Sequence, residues 1–389
     1  MNKLYWLSAP VLLFAAIAGY WWHGLPPTSQ PLTAWKWDLP AHFPVPKIPA
    51  DNPMSEEKFQ LGRSLFYDKR LSGNGMFACA SCHFQNLAFT DGKAVAEGST
   101  GEHTLRSAQG LANSAYHPYY TWANFSLVTL ESQMLNPLLG DNPVEMGVND
   151  TTLPIILSRL QSDKNYIRQF EQIFPNEKSP IRLENIIKAI SSFQRGMISS
   201  NSKYDQYMLH KIALSENEER GRVLFFSEQA QCSHCHGSYN FNDQVMDATT
   251  IKVNTPFHNT GLYNVDGKGG FPDGNRGIFE LSNKPEDMGM FRAPSLRNVA
   301  VTAPYMHDGS IVTLDGVLDF YAEHGREITS GNYKGDGRKS PLKDKLIDKI
   351  RIDERDKEDL IAFLNTLTDE TFLVNPRFSD PFKDSHVAQ

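Results

Sequence analysis

Apolar residues along this chain recur mostly at three- and four-residue spacing, the period of helices buried on one side. Ser55, followed by Glu56 and Glu57, opens one such helix, with Phe59, Leu61, Leu65 and Phe66 among its apolar positions. Further helical patterns occupy about 126–136, 152–174 and 182–199, punctuated by Pro137, Pro143, Pro175 and Pro180. Ser215 and Glu218 have capping-box spacing for another helix. Thr313 and Asp315 start a helix running to about Glu323, and 354–367 form a last one. Residues 240–290, rich in Gly, Asn and Asp, read as a long loop. No stretch alternates convincingly as a strand, so the expected fold is mainly α with long loops.

The start of the chain is patterned differently. Leu4 to Trp22 is an uncharged apolar run of 19 residues behind Lys3, long enough to span a bilayer. Ala16-Ile17-Ala18 offers a weak signal-peptidase site, whereas Trp21 and Trp22 suit an interfacial aromatic belt. Residues 1–23 are thus a signal peptide or a retained membrane anchor, and either directs export. Residues 24–53, with eight prolines between Pro26 and Pro53, read as a stiff extended connector, and the folded part is expected from Met54.

Composition changes this picture little. A net charge of -7 in 389 residues gives no basis for nucleic-acid binding. A mean hydropathy of -0.42 excludes a polytopic membrane protein. The four cysteines matter more, because two motifs use all of them.

Cys79-Ala80-Ser81-Cys82-His83 and Cys232-Ser233-His234-Cys235-His236 are both C-x-x-C-H strings, the attachment site of a c-type haem. In such a site the thiols add across the porphyrin vinyls and the histidine becomes an axial iron ligand. The competing reading is a zinc site, but zinc ribbons place their second pair some 15–20 residues after the first. Here roughly 150 residues intervene and a histidine follows each pair. Two covalent haem c groups are expected.

The surroundings repeat as well. Gly62-Arg63-Ser64-Leu65-Phe66 returns as Gly221-Arg222-Val223-Leu224-Phe225, and Phe89-Thr90-Asp91 returns as Phe241-Asn242-Asp243. One unit, helix then haem motif then turn, therefore occurs twice. We expect two cytochrome c-like haem domains, at 54–205 and 206–370, followed by a C-terminal tail at 371–389.

With these motifs, the chain resembles the bacterial di-haem cytochrome c peroxidase/MauG family over roughly residues 54–370. The resemblance rests on both haem motifs and on Ala112-Asn113, Trp122, Gln133, Pro137 and Glu145. It extends through Phe291-Arg292-Ala293-Pro294-Ser295-Leu296-Arg297-Asn298 and Pro304-Tyr305-Met306-His307-Asp308-Gly309. Within the family, Ser99-Thr100-Gly101, Thr121-Trp122-Ala123-Asn124 and Pro143-Val144-Glu145 look most like MbnH-type enzymes.

The resemblance implies a peroxidatic haem on His83 and a six-coordinate haem on His236 whose second ligand is Tyr321. A packed tyrosine there, with Met306 or Met290 as ligand, is the alternative. It also implies Glu145 as acid–base for O–O cleavage, Gln133 as a distal hydrogen-bonding amide and Pro137 as a pocket wall. Trp122 would carry charge between the haems, and calcium would be bound by Asn113 with the backbone carbonyls near Arg292 and Pro294. His103 could ligate the first haem in a resting state, while His234 suits the surface. MauG carries a tryptophan just before its second haem motif where this chain has Ala230 and Gln231, leaving the exit route for charge open.

The implied activity is an exported, periplasmic oxidoreductase, tethered to the inner membrane if the anchor is kept. It would react with hydrogen peroxide to reach a high-valent di-haem state and oxidise a tryptophan or tyrosine of a periplasmic partner protein. The alternatives are a peroxidase fed by a small cytochrome and a non-catalytic di-haem electron carrier.

Overall fold

The computed structural model describes residues 31–383, so the signal or anchor segment at 1–23 lies outside the described residues. Helix α1 (Glu56–Tyr67) begins where the Ser55 hydroxyl accepts the Lys58 N–H at 3.2 Å, with Glu56 and Glu57 against its positive end. Helix α2 (Leu130–Leu139) is capped by Thr129, whose hydroxyl accepts from Ser132 N at 3.0 Å. The pattern at 152–174 is two helices, α3 (Thr152–Gln161) and α4 (Lys164–Ile173). Asp163 leaves helical geometry between them and caps α4 by accepting from Asn165 N at 2.9 Å. Then come α5 (Leu183–Arg195), α6 (Lys203–Met208) and α7 (Glu216–Phe225). Glu218 accepts the Ser215 N–H at 2.7 Å, one half of the expected capping box.

Helix α8 (Ser233–His236) carries the second haem motif, and α9 (Phe279–Ser282) is a single turn inside the long loop. Helices α10 (Leu314–Ala322), α11 (Glu354–Asn365) and α12 (Glu370–Leu373) complete the twelve among the described residues. One two-residue antiparallel pair, β1 (Glu327–Ile328) with β2 (Gly335–Asp336), forms a small hairpin. The protein is mainly helical.

The repeat seen in sequence is a repeat in space. Helix α1 packs on α5, and α7 packs on α11, through glycine contacts of one kind. A Cβ on Gly62 would lie 1.9 Å from the Ala189 carbonyl oxygen and 2.9 Å from Phe193 Cβ. On Gly221 it would lie 1.9 Å from the Asp359 oxygen and 2.9 Å from Phe363 Cβ. Only glycine lets the backbones approach this closely. Phe66 and Phe193 fill the core beside the first contact, and Phe225, Phe241 and Phe363 the core beside the second. A third cluster, with Leu262, Tyr263, Phe271, Phe291 and Phe320, packs against Trp122.

Three expectations need adjustment. Pro137 lies inside α2 instead of ending it. So near the helix end the missing N–H disturbs little, and its carbonyl accepts from Met146 N at 3.0 Å. The connector does not stand off the body: Trp35 packs on Phe59, and Phe43 is buried beside Tyr116 and Tyr239. Its aromatic residues gain more by burial than an extended linker could. The segment from 371 likewise sends Phe372, Leu373 and Phe378 into the first core.

Candidate active site

Each haem motif borders its own cavity. The first, of about 370 Å³, is lined by Cys79, Cys82, His83, Gln133, Pro137 and Glu145. The second, of about 260 Å³, is lined by Cys232, Cys235, His236, Leu318, Tyr321 and Met306. Trp122 and His117 line both. The tryptophan therefore stands between the cavities, with its indole N–H donating to Ser107 O at 2.9 Å.

The two histidines are held alike. Nδ1 of His83 donates to the Phe89 carbonyl at 2.6 Å, and Nδ1 of His236 donates to the Phe241 carbonyl at 2.9 Å. Both phenylalanines adopt left-handed backbone, φ 64° and 53°, which turns these carbonyls toward the rings. Spending Nδ1–H this way leaves Nε2 to coordinate iron. Burial lowers both imidazole pKa values and so keeps the rings neutral, as a metal ligand must be.

Both cavities fit a covalently bound haem. Burial pushes the thiols of Cys79 and Cys232 up to about 12 and that of Cys82 to about 11, which keeps these sulfurs uncharged, as they are in a thioether. Gln109 Nε2, His117 Nε2 and Arg292 Nη1 are buried without hydrogen-bond partners, and all three residues line the second cavity. Such donors match the propionate carboxylates of a haem.

Glu145 is half-buried at the first cavity, and desolvation raises its pKa. Its place is set by backbone: Ser99 N donates to Glu145 O at 2.7 Å, and a Cβ on Gly98 would meet Val144 O at 1.9 Å. Gln133 and Pro137, one turn apart, share a face of α2 and line the same cavity.

The repeat extends further than the sequence reading took it. Leu127-Val128-Thr129-Leu130-Glu131, leading into α2, matches Ile311-Val312-Thr313-Leu314-Asp315, leading into α10. Thr313 caps α10 by accepting from Gly316 N at 3.0 Å, as Thr129 caps α2. Counting from each capping threonine, Pro137 and Tyr321 occupy the same position of the two helices. The first cavity thus has a side chain that cannot ligate where the second has a phenol.

Other expected residues stand elsewhere. His103 is exposed and lines neither cavity, and His234 is exposed beside Glu228 at 3.2 Å. Met290 does not line the second cavity, whereas Met306 does. Arg292 and Pro294 do line it, but the amide of Asn113 is engaged with Ser199, accepting its N–H at 2.7 Å and donating to its carbonyl at 2.9 Å.

Two histidines were missed. His258 lines the second cavity, with Nε2 2.7 Å from Asp243 and Nδ1 2.8 Å from Asp344. Burial works against its charge, but these carboxylates outweigh it and hold the imidazole at about 12. Cys235, Asp243 and His258 place ligand atoms within 4.8 Å of one another, yet both nitrogens are already engaged, so the cluster is an ion-pair network. His307 is buried with its ring stacked on Phe291 at 3.7 Å, and desolvation lowers it to about 3. Asp243, at the place of Asp91 in the repeat, was the available pointer to the first; nothing in sequence pointed to the stacking.

Comparison with known proteins agrees with this geometry. A family model described as di-haem cytochrome c peroxidase matches residues 56–213. Cytochrome-c peroxidase IdrP1 of Pseudomonas sp. (strain SCT) is 34% identical over 340 residues, covering 84% of each chain. The chain belongs to the di-haem cytochrome c peroxidase/MauG family. Within it, methylamine utilization protein MauG of Methylorubrum extorquens is 30% identical over 332 residues, covering 85% of this chain and 83% of that one. A crystal structure of a MauG-like protein associated with microbial copper homeostasis is 56% identical with a TM-score of 0.89, covering 90% of this chain and 100% of that one. Family membership makes this chain a peroxidase-type oxidoreductase and implies two haem c groups.

Proposed function

We propose that this member of the family is a MauG-like oxidase that is exported to the periplasm. It uses hydrogen peroxide to oxidise an aromatic residue of a partner protein. Residues 54–205 carry the haem that meets peroxide, and 206–370 the one that stores charge. The observation that carries this reading is the equivalence of Pro137 and Tyr321: at the same helix position the first cavity has a side chain that could not ligate a haem iron and the second a phenol that could.

Haem iron supplies the redox chemistry, binding peroxide and taking up its oxidising equivalents. Glu145, lining the first cavity, would hold and return a proton at its carboxylate oxygen during O–O cleavage. Gln133 donates a hydrogen bond from its amide, and Pro137 excludes a competing side-chain ligand. Burial raises the Tyr321 phenol above its ordinary range, so it would become an anionic, hard oxygen only by binding iron, which would favour higher iron oxidation states. Trp122, bordering both cavities, passes electrons between them. Calcium, if bound, would be held by carbonyls near Arg292 and Pro294 and by the remaining lone pair of Asn113 Oδ1. The similarity to a MauG-like protein associated with microbial copper homeostasis suggests the same setting for this chain. Among the described residues no helix is long and apolar enough to cross a membrane, so any tether rests on residues 1–23.

Electron paramagnetic resonance of the di-haem protein tests this. Tyr321→Phe should change the low-spin signals and spare the high-spin ones. Unchanged low-spin signals would remove Tyr321 as ligand. They would favour a second reading, an electron-accepting peroxidase ligated by Met306, which lines the same cavity.

A further inference from the structure

If oxidising equivalents leave for a partner, as the reading above holds, they need a way out, and Ala230 and Gln231 stand where MauG has its tryptophan. A line of rings leads out elsewhere. Trp122 meets His307 with ring centroids 6.5 Å apart, and His307 lies 6.4 Å from Phe271 and 3.7 Å from Phe291. Phe271 meets Tyr263 at 5.4 Å, and Tyr263 meets Tyr333 at 5.9 Å. Tyr263 is 7% exposed, whereas Tyr333, on the β1–β2 hairpin, is 50% exposed. Phe271 and Phe291 also meet at 6.2 Å, and among the described residues these six rings have no ring–ring contact outside the set, so the line from Trp122 reaches the surface at Tyr333.

We propose that electrons from the partner enter at Tyr333 and reach Trp122 through Tyr263, with His307, Phe271 and Phe291 as the packed bridge between them. Tyrosine and tryptophan are the readily oxidised side chains of the set; phenylalanine and a neutral imidazole are not. The two ends can therefore hold charge, and the middle only conducts it.

Tyr263 is equipped for its part. Its hydroxyl donates to Asp308 Oδ2 at 2.5 Å, and the Arg326 guanidinium lies 4.8 Å from its ring centroid. A cation over the ring opposes a ring that is itself positive. Electron loss is therefore coupled to transfer of the phenolic proton to Asp308, which leaves the ring neutral, and the proton returns when Tyr333 re-reduces it. Tyr333 exchanges its proton with solvent. Hydrogen peroxide takes two electrons and two protons to give two waters, and the partner supplies both electrons, one at a time. The bridge depends on Gly289, at φ +72°, where a Cβ would fall 2.1 Å from the Phe271 ring.

The test uses the di-haem protein, one equivalent of hydrogen peroxide and the spin trap 5,5-dimethyl-1-pyrroline N-oxide, with no partner present. Mass spectrometry should place the adduct on Tyr333 in the wild type. Tyr263→Phe should remove that adduct although Tyr333 is still there, and Tyr333→Phe should remove it directly. Both variants should keep wild-type resting spectra and the initial rate of spectral response to peroxide, with the oxidised spectrum decaying several-fold more slowly. An adduct on Tyr333 undiminished in Tyr263→Phe, or a wild-type adduct elsewhere, overturns the route while the functional reading stands. A wild type whose spectrum does not respond to peroxide overturns that reading, and the route with it.

Discussion

Asn113 and Asn298 hold the same place in the two halves of the protein. Both are left-handed, with φ of 60° and 63°, and both are fully buried. The backbone N–H of Asn113 donates to Met197 O at 2.9 Å, and that of Asn298 to Leu367 O at 3.0 Å. Their side-chain oxygens accept from Ser199 N at 2.7 Å and Asp369 N at 2.8 Å. Asn298 Nδ2 then donates to Ser199 Oγ at 3.0 Å, tying one staple to the other. Asn298→Ala should cost about 2–4 kcal/mol, from an orphaned buried N–H and a strained left-handed alanine. Asn298→Gly should cost less, because only the hydrogen bonds are lost. Denaturant unfolding of the di-haem protein would measure both, and equal losses would show that the backbone conformation is irrelevant.

Glu145 should set the acid limb of the peroxide reaction. As the proton acceptor it must be ionised, and burial raises its pKa, so the rate should climb with pH through a midpoint above the ordinary glutamate value of about 4.3. Glu145→Gln should slow the reaction by about 10²–10⁴-fold, abolish that limb and leave resting spectra unchanged. Stopped-flow mixing across pH checks this; a limb that persists in the variant would assign it to another group.

His258 should make stability pH-dependent on the alkaline side. Its imidazole is held at about 12 between Asp243 and Asp344, well above the unfolded value of about 6.5. The stabilisation is full below about pH 6.5 and is lost as pH rises toward the folded value, at up to roughly 1.4 kcal/mol per unit. Wild type should therefore exceed His258→Gln most at pH 6, with the excess shrinking steadily as pH rises to 10. A constant difference across that range would mean that His258 contributes packing alone.

Helices with strong period and clear caps, such as those opened by Ser55 and Thr313, were legible in the sequence. So was the repeated glycine, whose reason is the 1.9 Å approach of a carbonyl on the crossing helix. The second part of the repeat was not. Leu111-Ala112-Asn113 and Leu296-Arg297-Asn298 are the same element, but the long loop after the second haem shifts their spacing from that of the motifs. The match of Pro137 with Tyr321 was hidden with it. Asp163 was hidden for another reason: the apolar period runs through 152–174, and only the cap geometry breaks the helix. The line from Trp122 to Tyr333 joins residues more than 200 positions apart, a distance across which periodicity says nothing.

Phe372, Leu373 and Phe378 complete the core that surrounds the His83 motif, although they come nearly 300 residues after it. During synthesis that half is made first, and its core is completed only when the last-made part of the chain follows. The Cys79 and Cys82 thiols, half-buried in the finished fold, are more open to haem attachment throughout this interval. The order of synthesis thus works in favour of haem insertion: the core around the His83 motif is sealed last.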